Sequence, residues 1–137
     1  MFRTTLTVKT HGEGEIVDIT DETRRIVRES GTEEGLVNLF ITGSTAALTT
    51  TEFEPGVLSD LKRALSVAAP DGIVYAHDSR WGDGNGRSHV KASIVGPSLT
   101  IPVAGTTLLL GTWQQVVLLE LDVREGRSRT IIVTVMR

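Results

Sequence analysis

From Phe2 to Val8 the even positions, Phe2, Thr4, Leu6 and Val8, are mostly apolar, while Arg3, Thr5, Thr7 and Lys9 between them are polar. A period of two predicts a half-buried strand. His11-Gly12-Glu13-Gly14 turns the chain, and a short strand around Glu15 to Ile19 leads into Thr20-Asp21-Glu22. A capping hydroxyl followed by two carboxylates suits the positive end of a helix dipole, with Ile26 and Val27 on the buried side and Gly31 as the stop. Leu36-Val37-Asn38-Leu39-Phe40-Ile41 is apolar at nearly every position and predicts a central strand covered on both faces, with Ala46 to Thr51 as its neighbour. Between Pro55 and Ala68 the apolar residues Val57, Leu58, Leu61, Ala64, Leu65 and Ala68 step by three and four, which predicts a helix with proline at its first position and Pro70-Asp71-Gly72 as its stop.

The remainder reads as strands: Val90 to Val95, Leu99 to Val103, Thr107 to Leu110, Gln114 to Val123 and Arg129 to Met136. Strands outnumber helices and cluster late, so the expected class is α+β, β-rich with two helices. With 137 residues and no repeat, low-complexity tract or linker, residues 1–137 are expected to form a single domain.

Composition narrows the chemistry. The chain has no cysteine, which removes disulfides, thiolate ligands and a cysteine nucleophile. No apolar run approaches the roughly 20 residues of a membrane-spanning helix, and the opening Met1-Phe2-Arg3-Thr4 lacks the apolar core of a secretion signal, so a soluble, cytoplasmic protein without a membrane partner is expected. A net charge of −3 argues against nucleic acid as a partner.

The polar chemistry is concentrated between Tyr75 and Gly96. Tyr75 to His89 contains His77, His89, Asp78, Asp83, Asn85 and the glycines 82, 84 and 86. The glycines permit close approach of backbone to an anion, or simply a wide turn. His77 and His89 would share a metal only if the loop folds back; otherwise each is an exposed or hydrogen-bonded histidine. On a strand, His89, Lys91 and Ser93 would alternate with Val90, Ala92 and Ile94, placing His89 on the polar face. Asp83 and Asn85 offer hard oxygens to Mg²⁺, and both are also ordinary turn formers. Thr42-Gly43-Ser44-Thr45 carries hydroxyls that either hold phosphate or tie off backbone. Glu52 is a further carboxylate, and Glu120, within an apolar run, requires a partner such as Arg129 if buried.

Ser44-Thr45-Ala46-Ala47-Leu48, His77-Asp78, Trp81-Gly82-Asp83-Gly84-Asn85-Gly86, His89-Val90-Lys91-Ala92-Ser93, Gly96-Pro97-Ser98 and Leu110-Gly111-Thr112-Trp113-Gln114-Gln115, in that order, closely resemble the YjbQ family, also described as secondary thiamine-phosphate synthases. The resemblance implies a sandwich-like α+β domain assembled as a homotrimer, with a histidine-bearing polar site near the subunit contacts. It implies a weak activity joining an aminopyrimidine diphosphate to a thiazole phosphate with release of pyrophosphate. On that reading His77, His89, Asp83 and Glu52 are the catalytic candidates, and Ser44, Thr45, Gly84, Asn85, Gly86 and Arg87 hold phosphate. His77 and His89 are the metal candidates, for Mg²⁺ or another divalent ion. Two positions depart from the family pattern: Gly43 stands where relatives usually carry histidine, and Arg87 where histidine is common. An arginine cannot ligate a cation and favours an anion. The alternative expectation is therefore a non-catalytic trimer that binds an anion or a phosphorylated metabolite at a degenerate metal site. Trp113, Gln114 and Gln115 are expected in packing and subunit contact.

Overall fold

A computed structural model describes all residues 1–137. Eight strands and four helices follow one another as β1 (Phe2–Lys9), β2 (Ile16–Asp18), α1 (Thr20–Ser30), β3 (Glu34–Thr42), β4 (Ala46–Thr51), α2 (Pro55–Ala68), α3 (Ala76–Trp81), α4 (Gly86–Val95), β5 (Ser98–Ala104), β6 (Thr107–Leu108), β7 (Gln115–Glu120) and β8 (Ser128–Met136). All strand pairs are antiparallel; one sheet has the order β1-β8-β3-β5-β6 and the other β2-β7-β4.

The α+β assignment is borne out, with four helices rather than two. The main core lies between the sheets and takes in one side of α1: Ile26 and Val27 from the helix, Val37, Leu39 and Ile41 from β3, and Ile131, Val133 and Val135 from β8 are all buried. A smaller core on the far side of the three-stranded sheet joins Ala47, Val117 and Leu119 to Leu65 of α2 and Ala92 of α4. The strand covered on both faces is therefore β7, where Val116 to Glu120 are buried without interruption. In β3 burial alternates, and Leu36 and Phe40 stay 44% and 42% exposed on the outer face of the large sheet.

Helix ends follow local chemistry. Glu54 caps α2 by accepting the amides of Gly56 and Val57, each at 2.8 Å, and Pro55 occupies the first turn as expected. At α1, Thr20 is already helical and caps nothing; Asp18 Oδ1 accepts its N–H at 2.9 Å.

The two sheets are joined by buried charge. Arg129 on β8 donates Nε–H to Glu120 Oε1 on β7 at 2.8 Å, a second N–H to Oε2, and a further bond to the Thr45 hydroxyl at 2.9 Å. Glu120 also accepts from the Thr10 hydroxyl at 2.6 Å and from the Asp122 amide at 3.1 Å. Burial alone would raise the Glu120 pKa; the Arg129 guanidinium, the Thr10 hydroxyl and the Asp122 amide outweigh it and hold the carboxyl below its ordinary 4.5. The expected structural ion pair is thus present.

Removing one partner of such a pair leaves an uncompensated buried charge, so Glu120→Gln should destabilise the fold by about 3–5 kcal/mol at neutral pH. Because the folded-state pKa lies below 4.5, the stabilisation is complete above that value and is lost as pH falls through the folded value. Urea unfolding of both proteins across the acid range should show the gap closing on acidification; a gap independent of pH would exclude the carboxylate charge as its source.

Candidate functional site

The segment from Tyr75 to Gly96 folds as two short helices joined by the glycine-rich turn, not as a loop followed by a strand. Ser88, Lys91 and Ala92 are buried at helical spacing, Val95 is half-buried a turn further on, and Ser93 donates its hydroxyl to the His89 carbonyl one turn earlier at 2.8 Å. The expectation of His89 on the polar face of a strand is corrected accordingly: His89 sits on the side of α4 away from Lys91.

Two tight features hold the turn. The Gly86 amide donates to Asp78 Oδ1 at 2.8 Å, and a Cβ at Gly86 would lie 2.5 Å from Tyr75 Cβ, so only glycine lets α4 begin against α3. Asn85 is buried and enters a network: its amide nitrogen donates to Asp122 Oδ1 at 3.2 Å, and its oxygen accepts from the Ser88 hydroxyl at 2.9 Å and the Val123 amide at 3.0 Å. Asp122 also accepts from Thr45, Arg124 and Arg127. Its burial would raise its pKa, but the Arg124 amide and side chain, Thr45 and Asn85 together depress it strongly.

This folding brings the two histidines together, with ring centroids 4.6 Å apart. His77 Nδ1 lies 3.1 Å from Asp78 Oδ1 and 3.4 Å from Asp83 Oδ1. The hydrogen bond from His77 is the largest influence on Asp78, whose pKa is lowered. His89 Nδ1 lies 3.1 Å from the Ser44 carbonyl. A carbonyl only accepts, so His89 must carry its proton on Nδ1, which leaves the Nε2 lone pair free for a ligand or a proton. Ligand atoms of His77, Asp78 and Asp83 lie within 4.8 Å of one another. One imidazole nitrogen and two carboxylates make a donor set that fits a divalent cation, and the nitrogen favours a borderline transition ion over Mg²⁺.

The expected phosphate ligands are placed differently. Thr45 is buried between Arg129 and Asp122, Asn85 is enclosed, and the Gly86 amide is taken by Asp78. Arg87 donates to both Glu13 oxygens at 3.1 Å and pairs with Asp71 at 3.0 Å, so its charge is matched twice over. Ser44 contributes its carbonyl to His89, and Gly84 lies in the turn with a positive φ of 74°. Glu52 lines a separate cleft with Asp18, Asp21, Phe53, Trp113 and Gln115, none of which belongs to the histidine cluster. Trp113 is 73% exposed there, while Gln114 ties Gly111 to Thr50. Gly43 has φ 123°, and a Cβ on it would lie 3.2 Å from Arg129 Nη1, so a histidine at this position would strain the backbone and press on the buried ion pair.

Asp78 and Asp122 are the residues that sequence reasoning left without a role. For Asp78 the available signal was its position beside His77 and eight residues before Gly86. For Asp122 the nearby Arg124 and Arg127 gave no sign of a site, because the partners that tie it to the turn, Asn85 and Thr45, come from 37 and 77 residues away.

Fold and site together define an α+β protein of two antiparallel sheets with a histidine–aspartate cluster where two short helices meet. The chain belongs to the family described as UPF0047 protein YjbQ-like, whose model matches residues 4–137. It is 39% identical over 128 residues to a UPF0047 protein of Archaeoglobus fulgidus, covering 93% of this chain and 96% of that one. It is 38% identical over 118 residues to the UPF0047 protein YjbQ of Salmonella typhimurium, covering 85% and 84%. Among solved structures, a hypothetical protein of Aeropyrum pernix superposes with a TM-score of 0.89 at 30% identity, over 99% of this chain and 98% of that one.

The His89 tautomer is directly measurable. Long-range ¹H–¹⁵N correlation spectra at alkaline pH should place its proton on Nδ1; a proton on Nε2 would exclude the bond to Ser44.

Proposed function

We propose that the His77–Asp78–Asp83 cluster, with His89 beside it, is the catalytic centre of a weak, divalent-cation-dependent transferase of the secondary thiamine-phosphate synthase type. The observation carrying this reading is the convergence of the two imidazoles and two carboxylates, with His89 Nε2 left free. In the reaction, a ring nitrogen of the thiazole phosphate forms a C–N bond to the carbon that carries the diphosphate, as the C–O bond to pyrophosphate breaks. Negative charge grows on the departing pyrophosphate. A divalent cation held by His77, Asp78 and Asp83 would supply positive charge beside that group. His89, fixed by Ser44 through Nδ1–H, would first take up a second proton on Nε2 and, as the imidazolium, pass that proton to the leaving oxygen. Arg87 is not assigned to phosphate, since Glu13 and Asp71 already hold it.

Purified protein incubated with both phosphorylated precursors and Mn²⁺ or Mg²⁺ should form thiamine phosphate and pyrophosphate. His89→Ala should lower the rate by about 10²–10⁴-fold, and Asp83→Asn should weaken the metal dependence. Product no higher than in a heat-killed control rejects the enzyme reading. Saturable binding of one precursor without turnover would support the second reading, a phosphometabolite-binding trimer. That reading is favoured by Gly43, which leaves no unstrained place for the family histidine.

Assembly as a homotrimer belongs to the same proposal. Leu36 and Phe40, one on each side of Asn38 on β3, face outward from the large sheet and are the apolar surface that a neighbouring subunit would cover. Sedimentation equilibrium should give three times the monomer mass of 14.8 kDa, and Phe40→Asp should shift the protein toward monomer; a monomeric native protein would exclude it.

A further inference from the structure

On α4, Lys91 lies two positions beyond His89 and about 200° around the helix from it, so it points away from the histidine cluster. Its side chain is packed inside, with the residue only 7% exposed, yet no hydrogen bond or ion pair reaches its ammonium. An unpaired buried ammonium is strongly unfavourable. Every fully enclosed side-chain nitrogen and oxygen in the molecule does have a partner, so the Lys91 ammonium must reach open space. That space is a cavity of about 150 Å³ between α2, α4 and the three-stranded sheet, walled by Ile16, Leu61, Leu65, Leu119 and Leu121.

Four carboxylates also border the cavity, and each is already committed elsewhere. Glu13 and Asp71 share Arg87 at the mouth. Glu15 accepts the His11 amide at 2.9 Å, and Glu120 is held by Arg129. Lys62 of α2 and Ser66 border it as well, Lys62 on a helix face that is largely exposed, so Lys91 is the buried cation of a chamber with mixed walls, leucines on one side and polar groups at the mouth. The chamber is large enough to admit a small organic molecule in place of water. The surrounding carboxylates would repel a doubly charged group such as a phosphate monoester more strongly than a single charge. The leucine side, in turn, suits a hydrocarbon rather than a sugar.

We propose that this cavity is a binding site for a small monocarboxylate, its carboxylate paired with Lys91 and its short hydrocarbon body lying on Leu61, Leu65 and Leu119. The site is distinct from the histidine cluster and does not depend on the activity assigned there.

Isovalerate is the probe, and methyl ¹³C spectra of the native protein are the readout. Isovalerate should shift the methyl signals of Leu61, Leu65 and Leu119 saturably. Its neutral analogue isovaleramide should bind roughly tenfold more weakly or worse, as should isovalerate to Lys91→Met, because each loses one charged partner. The comparison of acid and amide on the native chain decides the matter even if Lys91→Met does not fold. No saturable shift with isovalerate, equal affinity for acid and amide, undiminished binding by a folded Lys91→Met, or tighter binding of inorganic phosphate would each overturn the proposal.

Discussion

The structure depends on one guanidinium. Arg129 leaves the large sheet on β8, meets Glu120 on β7 of the small sheet, and reaches both the hydroxyl and the carbonyl of Thr45 at the start of β4. Burying a carboxylate and a guanidinium costs several kcal/mol each unless geometry and further hydrogen bonds offset it. Here Thr10 and the Asp122 amide take up the remaining capacity of Glu120. A register slip of either strand would leave both charges unpaired, so the ion pair selects one mutual position of the sheets where apolar packing alone would tolerate several.

From that pair the polar network runs outward to the site. Thr45 accepts from Arg129 and donates to Asp122, Asp122 accepts from Asn85, and Asn85 accepts from Ser88 on the first turn of α4. The glycine-rich turn is thus anchored from beneath by its asparagine and clamped from the side by Asp78 on the Gly86 amide. Groups that look like a phosphate cradle in one dimension are the supports of a helix start. The histidines are what those supports leave facing outward, one fixed by a neighbouring carboxylate and the other by the Ser44 carbonyl.

This explains which parts were legible in the sequence. Strands β1 and β8 and helix α2 declare themselves because most of their inward positions are apolar and hydropathy carries the period, whereas β4 is legible as a strand but pairs with β7 in the small sheet rather than with β3 as expected. The segment 86–95 does not, because two members of its buried stripe are Ser88 and Lys91, polar residues enclosed by a network and a cavity. With those two counted as exposed, Val90, Ala92 and Ile94 alternate like a strand, and the β-branched residues reinforce the error. The same blindness affects β3, where Leu36 and Phe40 are apolar but outward-facing, so a continuous apolar run does not mean two covered faces. The pairing of Glu120 with Arg129 was legible, since a lone carboxylate in an apolar strand demands a cation. The approach of His77 to His89 was legible only as one of the ways to close the loop, a choice settled by Gly86 and Asn85.

Arg87 and Lys91, one helical turn apart, show why counting cations in a sequence does not locate an anion site. Arg87 carries the better phosphate-binding group, yet two carboxylates, Glu13 and Asp71, converge on it, and the local balance of that trio is one net negative charge. A phosphate approaching there would have to displace a bidentate partner and then face the freed carboxylate. Lys91 carries the weaker group, but the acids around it are engaged by other partners, and it lies beside leucine side chains that strengthen any pairing it makes. What decides where an anion binds in this fold is the availability of the positive charge once the internal acids have taken theirs, and availability is a property of the packed molecule.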